Sequence, residues 1–509
     1  MKSGRVLQKL FYLSFEKLIR GYLTRGAAKL ADPKLLLVLI IGFTTLIYTF
    51  ILTQKHIHFQ TFAWDTSVFD QQIYLASRLK APFSSLHGIN SLADHFHPLL
   101  LIMGGVLYAV WNDPRSLFFL QSLTFSLSAL PLYLIAKHFL ERTSLKDSHT
   151  SLLSLGLCVM YLYSVSAQAM TLDEIHDDVF SSLPILFAIY FLFKNNMKGF
   201  WLSFIWLLLT KEEYGLFGPP LGVYLWLRNK NLKQALAVAI LGLVVFFILI
   251  KSVMPTLGGQ KYPHFLKENE PAQIMTTFIK NPSYFVTKFF DDPKKQKTWT
   301  ISLTSYGLLP LFAPLEMILP VSALAIRFYD DTTPRRFEFN NHYASPLIPI
   351  LAVAAVSGLT NILCFLVRSL KQIDKNPKML TLFSISFILG TAIFQDIIFH
   401  GPINSLLKSS FYEILPWQKD ANALIRQVPN EVSLASQNSL LPHLSQRERF
   451  YLLPEIDDAE YIAVDLTEGP NKFAAYNVIQ IRDVISQIIQ DKSYRVIWKK
   501  NNALLLQRR

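Results

Sequence analysis

The sequence predicts an all-α polytopic membrane bundle with a small C-terminal α/β domain. Three observations predict it. Of 509 residues, 51% are hydrophobic and only 17% charged, against about 25% charged in soluble domains. Apolar runs that can cross a bilayer recur between residues 35 and 400, with short basic segments between many of them. From Gly401 onward the composition changes to short strand-like runs and turns.

Residues 1–34 carry Lys2, Arg5, Lys9, Lys17, Arg20, Arg25, Lys29 and Lys34 against Glu16 and Asp32. Leu7, Leu10, Phe11, Phe15 and Leu18 recur at helical spacing, which suits an amphipathic helix on the cytoplasmic leaflet. A plain basic tail is the alternative. Residues 35–400 form the transmembrane domain, with outer loops at 53–116 and 255–298. Leu35–Leu52 is the first span. Thr66 and Ser67 are expected to start a helix whose Phe69, Ile73 and Leu75 rest on the bilayer surface. Leu99–Trp111 is short and reads as an interfacial helix, with a full span as its rival.

Leu117–Phe139, Leu152–Met170, Val179–Phe193, Phe200–Thr210, Tyr214–Leu227 and Ala235–Met254 follow as spans. The 255–298 loop is given a surface helix at Ile274–Phe290, although KKQK at Lys294–Lys297 argues for the inside. Ile301–Leu315 and Glu316–Phe328 are read as a proline-broken pair, then Ala344–Val367 and Leu380–Phe399. The total is about eleven spans, which puts the N-terminus in the cytoplasm and the tail outside the inner membrane. Residues 401–509 form the extracytoplasmic α/β domain. Its strands are expected at Val432–Ala435, Tyr461–Val464, Ser493–Trp498 and Ala503–Leu506, and its helix within Lys472–Gln490.

A net charge of +13 could suggest nucleic acid. The basic residues lie mainly between apolar runs, which the positive-inside rule explains, so no nucleic-acid partner is expected. Cys158 and Cys364 lie inside apolar segments, which argues against a disulfide framework or thiolate metal site. The sequence has no Walker loop, Rossmann glycine pattern, zincin helix or GxSxG, which argues against ATP-driven transport on this chain.

The chemistry-bearing residues gather in a few stretches. FAWDTSVFDQQ places Asp65 and Asp70 just beyond the first span, flanked by Trp64 and Phe69. Five residues apart, the two acids do not share a helical face closely and are expected to differ in role. Asp65 also suits a helix N-cap and nothing more. Lys211, Glu212 and Glu213 interrupt a long apolar run, where charge is expensive and usually functional, or else form a short outer turn. Asp94, His95 and His97 form one cluster; Asp173, Glu174, His176, Asp177 and Asp178 form another. Asp173, His176 and Asp177 offer ligands for Mg or Mn, although DEIHDD also suits a solvated turn and no cofactor is clearly required. Arg327, Tyr329, Arg335, Arg336, His342 and Tyr343 line a later outer loop, where arginine can bind phosphate bidentately or contact lipid.

The motifs FAWDTSVFDQ, DHFHPLLLI, LPLYLIAKHFL, LDEIHDD, LLTKEEYGLF, HYASPLIPILAVAA and ASQNSLLPHLSQR, in that order, resemble a family of prokaryotic multi-pass membrane proteins. That family carries only a domain-of-unknown-function name, DUF2079. Its architecture is in turn similar to the GT-C membrane glycosyltransferases, among them protein mannosyltransferases and the arabinose transferases that modify lipid A. This second likeness rests on topology, an acidic first outer loop and the Thr210–Lys211 pair. It implies a sugar transferred from a polyprenyl-phosphate donor to a glycan, lipid or protein acceptor at the extracytoplasmic face. It implies Asp65 as the base, with Asp70 as rival, and Lys211 against the donor phosphate. Arg327 is a further phosphate contact; Trp64, Glu212, Glu213, Asp94, His95, His97, Tyr329, His342 and Tyr343 are the remaining substrate contacts. The two acids after Lys211 depart from the arabinose transferases and leave an internal Lys–Glu pair open.

Two rival readings remain. A transporter or lipid-handling protein would use Lys211–Glu213 as a translocation site, favoured by inverted repeats and broken helices at mid-bilayer. A GT-C relative without catalysis would keep the architecture for binding or assembly.

Overall fold

The computed structural model describes residues 32–259, 280–329, 334–369 and 377–509. The basic N-terminal segment up to residue 31 and the middle of the 255–298 loop lie outside the described residues. The fold is mostly helical. Five helices are long and apolar enough to cross a membrane: Pro33–Ile57, Pro114–Thr143, Leu232–Gly258, His342–Ser369 and Pro377–Phe399. Asp147–Leu162 and Val165–Thr171, bent by 52°, add a sixth if counted as one span. The expected spans at Phe200–Thr210 and Glu316–Phe328 are met by the helices Met197–Leu208 and Ile318–Phe328, of 12 and 11 residues. Ile301–Leu315 holds the end of helix Pro293–Thr304 and a single 3-10 turn, Leu309–Phe312. A helix of that length reaches only about 18 Å, less than the roughly 30 Å hydrocarbon core. Five or six of the described helices therefore reach full crossing length, and the helices at the other expected spans are shorter.

The breaks are stabilised locally. At the 52° bend, Ser164 caps the second helix by accepting from the Ala167 N–H at 3.3 Å. The freed carbonyls find donors: the Tyr48 hydroxyl bonds Leu162 O, and Gln168 Nε2 donates to Tyr163 O at 2.9 Å. The bend turns Asp173–Asp178 towards the first outer loop. Beyond Lys211, glycines bring two helices close. A Cβ on Gly218 would sit 2.8 Å from Val238 O, and one on Gly242 would sit 2.5 Å from Gly215 O. Only small residues allow this approach of Gly218–Asn229 to Leu232–Ile248.

Residues 53–116 form a folded cover over one end of the bundle. Ala63–Ser67 is a wide π turn that runs into the α-helix Val68–Ser77. Asp65 is therefore the third residue of the turn, and Phe62 holds the cap position, so the alternative of Asp65 as a plain N-cap does not hold. Phe69, Ile73 and Leu75 are buried in the core, not spread on a bilayer. They pack inward because the Pro98–Tyr108 helix lies against this face; Ile73 fills the space beside Gly104. The short strands β1 (Phe83–Ser84) and β2 (Ile89–Asn90) pair antiparallel as a hairpin.

The C-terminal domain has a five-stranded sheet of β3 (Leu434–Ser436), β4 (Phe450–Leu452), β5 (Tyr461–Asp465), β6 (Tyr494–Lys500) and β7 (Ala503–Arg508), in the order β4-β3-β5-β7-β6. The β3–β4 and β3–β5 pairs are parallel, and β7 runs antiparallel to β5 and β6. Helix Val478–Gln490 starts on a capping box of Asn477 and Gln480 and buries Val478, Ile481, Ile485 and Ile488 along one stripe. The domain is seated on the first outer loop: Phe59 packs among Ala421, Leu424, Leu434, Leu440 and Leu444, and Ala63 against Leu441 and Phe450.

Candidate active site

A cavity of about 170 Å³ opens where the first outer loop, the 172–178 segment, Lys211 and the 342–343 turn converge. Trp64, Asp65, Asp94, His95, His97, His176, Asp177, Lys211, His342 and Tyr343 all line it, joined by Gln72 and His87. The Asp65 carboxylate is partly open at 28% exposure, with His176 Nδ1 3.9 Å away. Trp64 is half exposed and meets the His87 ring edge-on at 5.6 Å.

Lys211 forms the floor. Its ammonium lies 2.8 Å from Asp178 and 3.3 Å from Asp177, all three nearly without exposure. Burial acts against charge on Asp177 and Lys211. The pair prevails: Asp177 is held well below the usual carboxylate range by Lys211 and His97, and Lys211 is raised well above its ordinary value by Asp177 and Asp178. The open Lys–Glu alternative thus resolves into a Lys–Asp–Asp cluster. His97 bridges Asp177 (3.2 Å) and Gln72 (2.8 Å). Glu212 instead takes the His95 ring at 3.0 Å and the Phe96 N–H at 2.8 Å. Burial and Lys211 oppose a charge on His95, but Glu212 and Asp94 outweigh them and push its pKa up to about 9. Burial likewise opposes the His176 imidazolium, and Asp65 with Asp173 raises it.

Under Asp65 lies Glu174, whose pKa burial and then Asp65 push up to about 8. Its Oε2 accepts from the Phe62 N–H at 2.8 Å and the Thr66 hydroxyl at 2.6 Å. Gln121 fixes this segment by donating to Thr171 O and Glu174 O and accepting from the His176 N–H.

Asp173, His176 and His342 place one ligand atom each within 4.8 Å of one another, and the two imidazoles stack at 3.7 Å. Asp173 Oδ2, His176 Nε2 and His342 Nδ1 are buried without a hydrogen-bond partner, which fits a cation between them. Two nitrogens and one carboxylate suit Zn or Mn better than Mg. His342 replaces Asp177 in the expected set, because Asp177 is committed to Lys211 and His97.

Other expected residues stand outside this cavity. Asp70 is fully buried on the far side of its helix, accepting from Ser445 at 2.6 Å, Gln446 at 3.0 Å and Tyr108. It faces a separate polar cavity of about 520 Å³ at the seam with the C-terminal domain. The Arg327 guanidinium donates to Arg336 O and Glu338 O, which shapes the loop, and it lines a small separate pocket. Glu213 pairs with Arg336 at 2.8 Å beside a small pocket that shares Tyr343 with the main cavity. Tyr329 packs on Phe289, and Arg335 is exposed.

Sequence reasoning missed Gln72, His87 and Asn438. Asn438 sits in ASQNSLLPHLSQR, a polar stretch among other polar residues, so nothing local singled it out. The pairing of its Oδ1 with the Ala63 N–H at 3.0 Å joins residues 375 apart and needed the fold.

No curated protein matches the chain. Two solved structures are similar: ArnT from Cupriavidus metallidurans bound to undecaprenyl phosphate, at 13% identity and a TM-score of 0.50, and the same protein in the apo state, at 12% and 0.49. Each alignment covers 92% of this chain and 97% of ArnT. At this identity the first likeness establishes a shared fold, ArnT-like over nearly the whole length. The family model described as "Predicted membrane protein (DUF2079)" matches residues 55–505, and the chain belongs to that family.

Proposed function

We propose that this protein is a membrane glycosyltransferase that takes a sugar from a polyprenyl-phosphate donor at the extracytoplasmic face and gives it to a hydroxyl of a glycan, lipid or protein. The observation that carries the reading is the cavity itself: a partly open carboxylate, Asp65, faces His176, His95 and Lys211 in a space of about 170 Å³, the size of one sugar ring. The ArnT-like fold and the undecaprenyl phosphate bound by ArnT support the donor class.

In this reading Asp65 accepts the proton of the acceptor hydroxyl as its oxygen bonds to the anomeric carbon. The bond from that carbon to the phosphate oxygen breaks, and the phosphate departs with its electron pair. The imidazolium of His95 meets its charge, while Lys211, paired with Asp177 and Asp178, holds the floor of the site in place. Trp64 at the rim offers an apolar face to the sugar. A metal held by Asp173, His176 and His342 would add positive charge beside the phosphate.

Asp65→Asn tests the reading in detergent-purified protein supplied with a panel of undecaprenyl-phosphate-linked pentoses and hexoses together with a panel of glycan, lipid and peptide acceptors that carry free hydroxyls. Wild type releases undecaprenyl phosphate from at least one donor. Asp65→Asn binds undecaprenyl phosphate with unchanged affinity but releases it at least ~100-fold more slowly, the usual scale for loss of a general base. Full release by the variant refutes the assignment.

A further inference from the structure

The turn carrying Asp65 has no cap of its own. Phe62 holds the cap position and offers no side-chain acceptor, where Ser, Thr, Asp or Asn is the usual choice. The first N–H groups of such a turn lack partners within the helix. Two side chains from distant segments supply them. Glu174 accepts from the Phe62 N–H (2.8 Å), the Thr66 hydroxyl (2.6 Å) and, more distantly, the Thr66 N–H (3.4 Å). Asn438, from the loop after β3, accepts from the Ala63 N–H at 3.0 Å and is itself fixed by donating to Asn471 O at 2.8 Å. Both are nearly fully buried. The turn's own closing bond, Ser67 N–H to Phe62 O, is long at 3.4 Å. The grip on Phe62, Ala63 and Thr66 therefore comes from outside and brackets Asp65 on both sides.

We infer that Asn438 and Glu174 are positioning residues for Asp65, and that the C-terminal domain is a working part of the site, supplying half of an imported helix cap. This rests on Asp65 as base. A shift of the turn by about 1 Å would cost on the order of 100-fold in rate.

Asn438→Leu removes the acceptor at similar volume, whereas Asn438→Asp keeps the acceptor for the Ala63 N–H and gives up the bond donated to Asn471 O. Gln418→Leu is the control: Gln418 ties the same seam by donating to His58 O at 3.0 Å but does not touch the turn. Turnover is measured on the undecaprenyl-phosphate-linked sugars above, and amide hydrogen exchange on residues 62–67. Expected for Asn438→Leu are faster exchange and a kcat about 100-fold lower at little-changed KM. Asn438→Asp recovers both in part, lying between wild type and Asn438→Leu, and Gln418→Leu lowers the melting temperature alone. Wild-type kcat or unchanged exchange in folded Asn438→Leu overturns the inference while leaving Asp65 as base. Full turnover by Asp65→Asn removes the base and the inference together.

Discussion

Asp70 offers the sharpest test of how the two acids of the first outer loop divide their roles. It is fully buried, and although Ser445, Tyr108 and Gln446 all donate to it, burial prevails and pushes its pKa from 3.8 to about 6. A carboxyl whose native pKa is raised binds its proton more tightly in the folded state. Stability is then lost as pH rises through the window from 3.8 to about 6, and stays level above it. The shift of roughly two pKa units corresponds to about 3 kcal/mol, since each unit is worth about 1.4 kcal/mol. Asp70→Asn mimics the protonated acid: its oxygen still accepts from Tyr108 and Gln446, and its amide donates to Ser445. Other carboxylates titrate in the same range, so the informative quantity is the difference between variant and wild type. Thermal melts followed by tryptophan fluorescence from pH 4 to 8 should show that difference near zero at pH 4 and growing in the variant's favour to a plateau above pH 6.5. Undecaprenyl phosphate release should be unaffected, because the residue lies outside the cavity of Asp65. A pH-independent difference refutes the burial argument, and loss of release refutes the division of roles.

Two further outcomes follow from the cavity. Lys211→Met leaves Asp177 and Asp178 buried without their cation, which should cost about 3–5 kcal/mol, the scale for removing one partner of a buried pair; a melting temperature equal to wild type contradicts the ion cluster. Purified protein stripped with chelator and returned to Zn or Mn should bind one ion per chain, and His342→Ala should abolish it; equal uptake by the variant places the ion elsewhere.

The sequence already indicated much of the site, because charge is rare in this chain. With apolar residues filling the spans, each acidic or histidine cluster was conspicuous, and Asp65, His95, His97, His176, Lys211 and His342 do meet at one cavity. The partners within it were not legible. Lys211 precedes Glu212 in sequence, yet its side chain reaches Asp177 and Asp178 while Glu212 turns back to His95. The 3-10 turn Glu212–Phe217 separates the directions of neighbouring side chains, and hydropathy cannot encode that. The shorter helices were illegible for a related reason. Apolar stretches such as Ile301–Leu315 were measured by composition, but Gly307 at positive φ and the prolines end the helices early. Strands β5, β6 and β7 lie close to their expected places, whereas the three-residue β4 is too short to give a periodic signal.

The breaks in the helices bear on enzyme against transporter. Irregular backbone at membrane depth survives only where protein or a polar cavity satisfies it, and here the breaks converge. The π turn at Ala63–Ser67, the 3-10 turns at Asp177–Ser181 and His342–Ala344, and Lys211 just before a third all border the same space. Broken helices are also the mark of transporters, whose sites lie at mid-bilayer between repeats. This cavity differs in its walls. It adjoins the end of helix Pro33–Ile57, and the turn holding Asp65 is capped by a side chain from the C-terminal domain. A site that must alternate between two faces gains nothing from such an anchor, because the clamp would have to release in every cycle. A site that must hold one carboxylate still against a reacting hydroxyl gains directly from it, which is why the imported cap favours chemistry over passage.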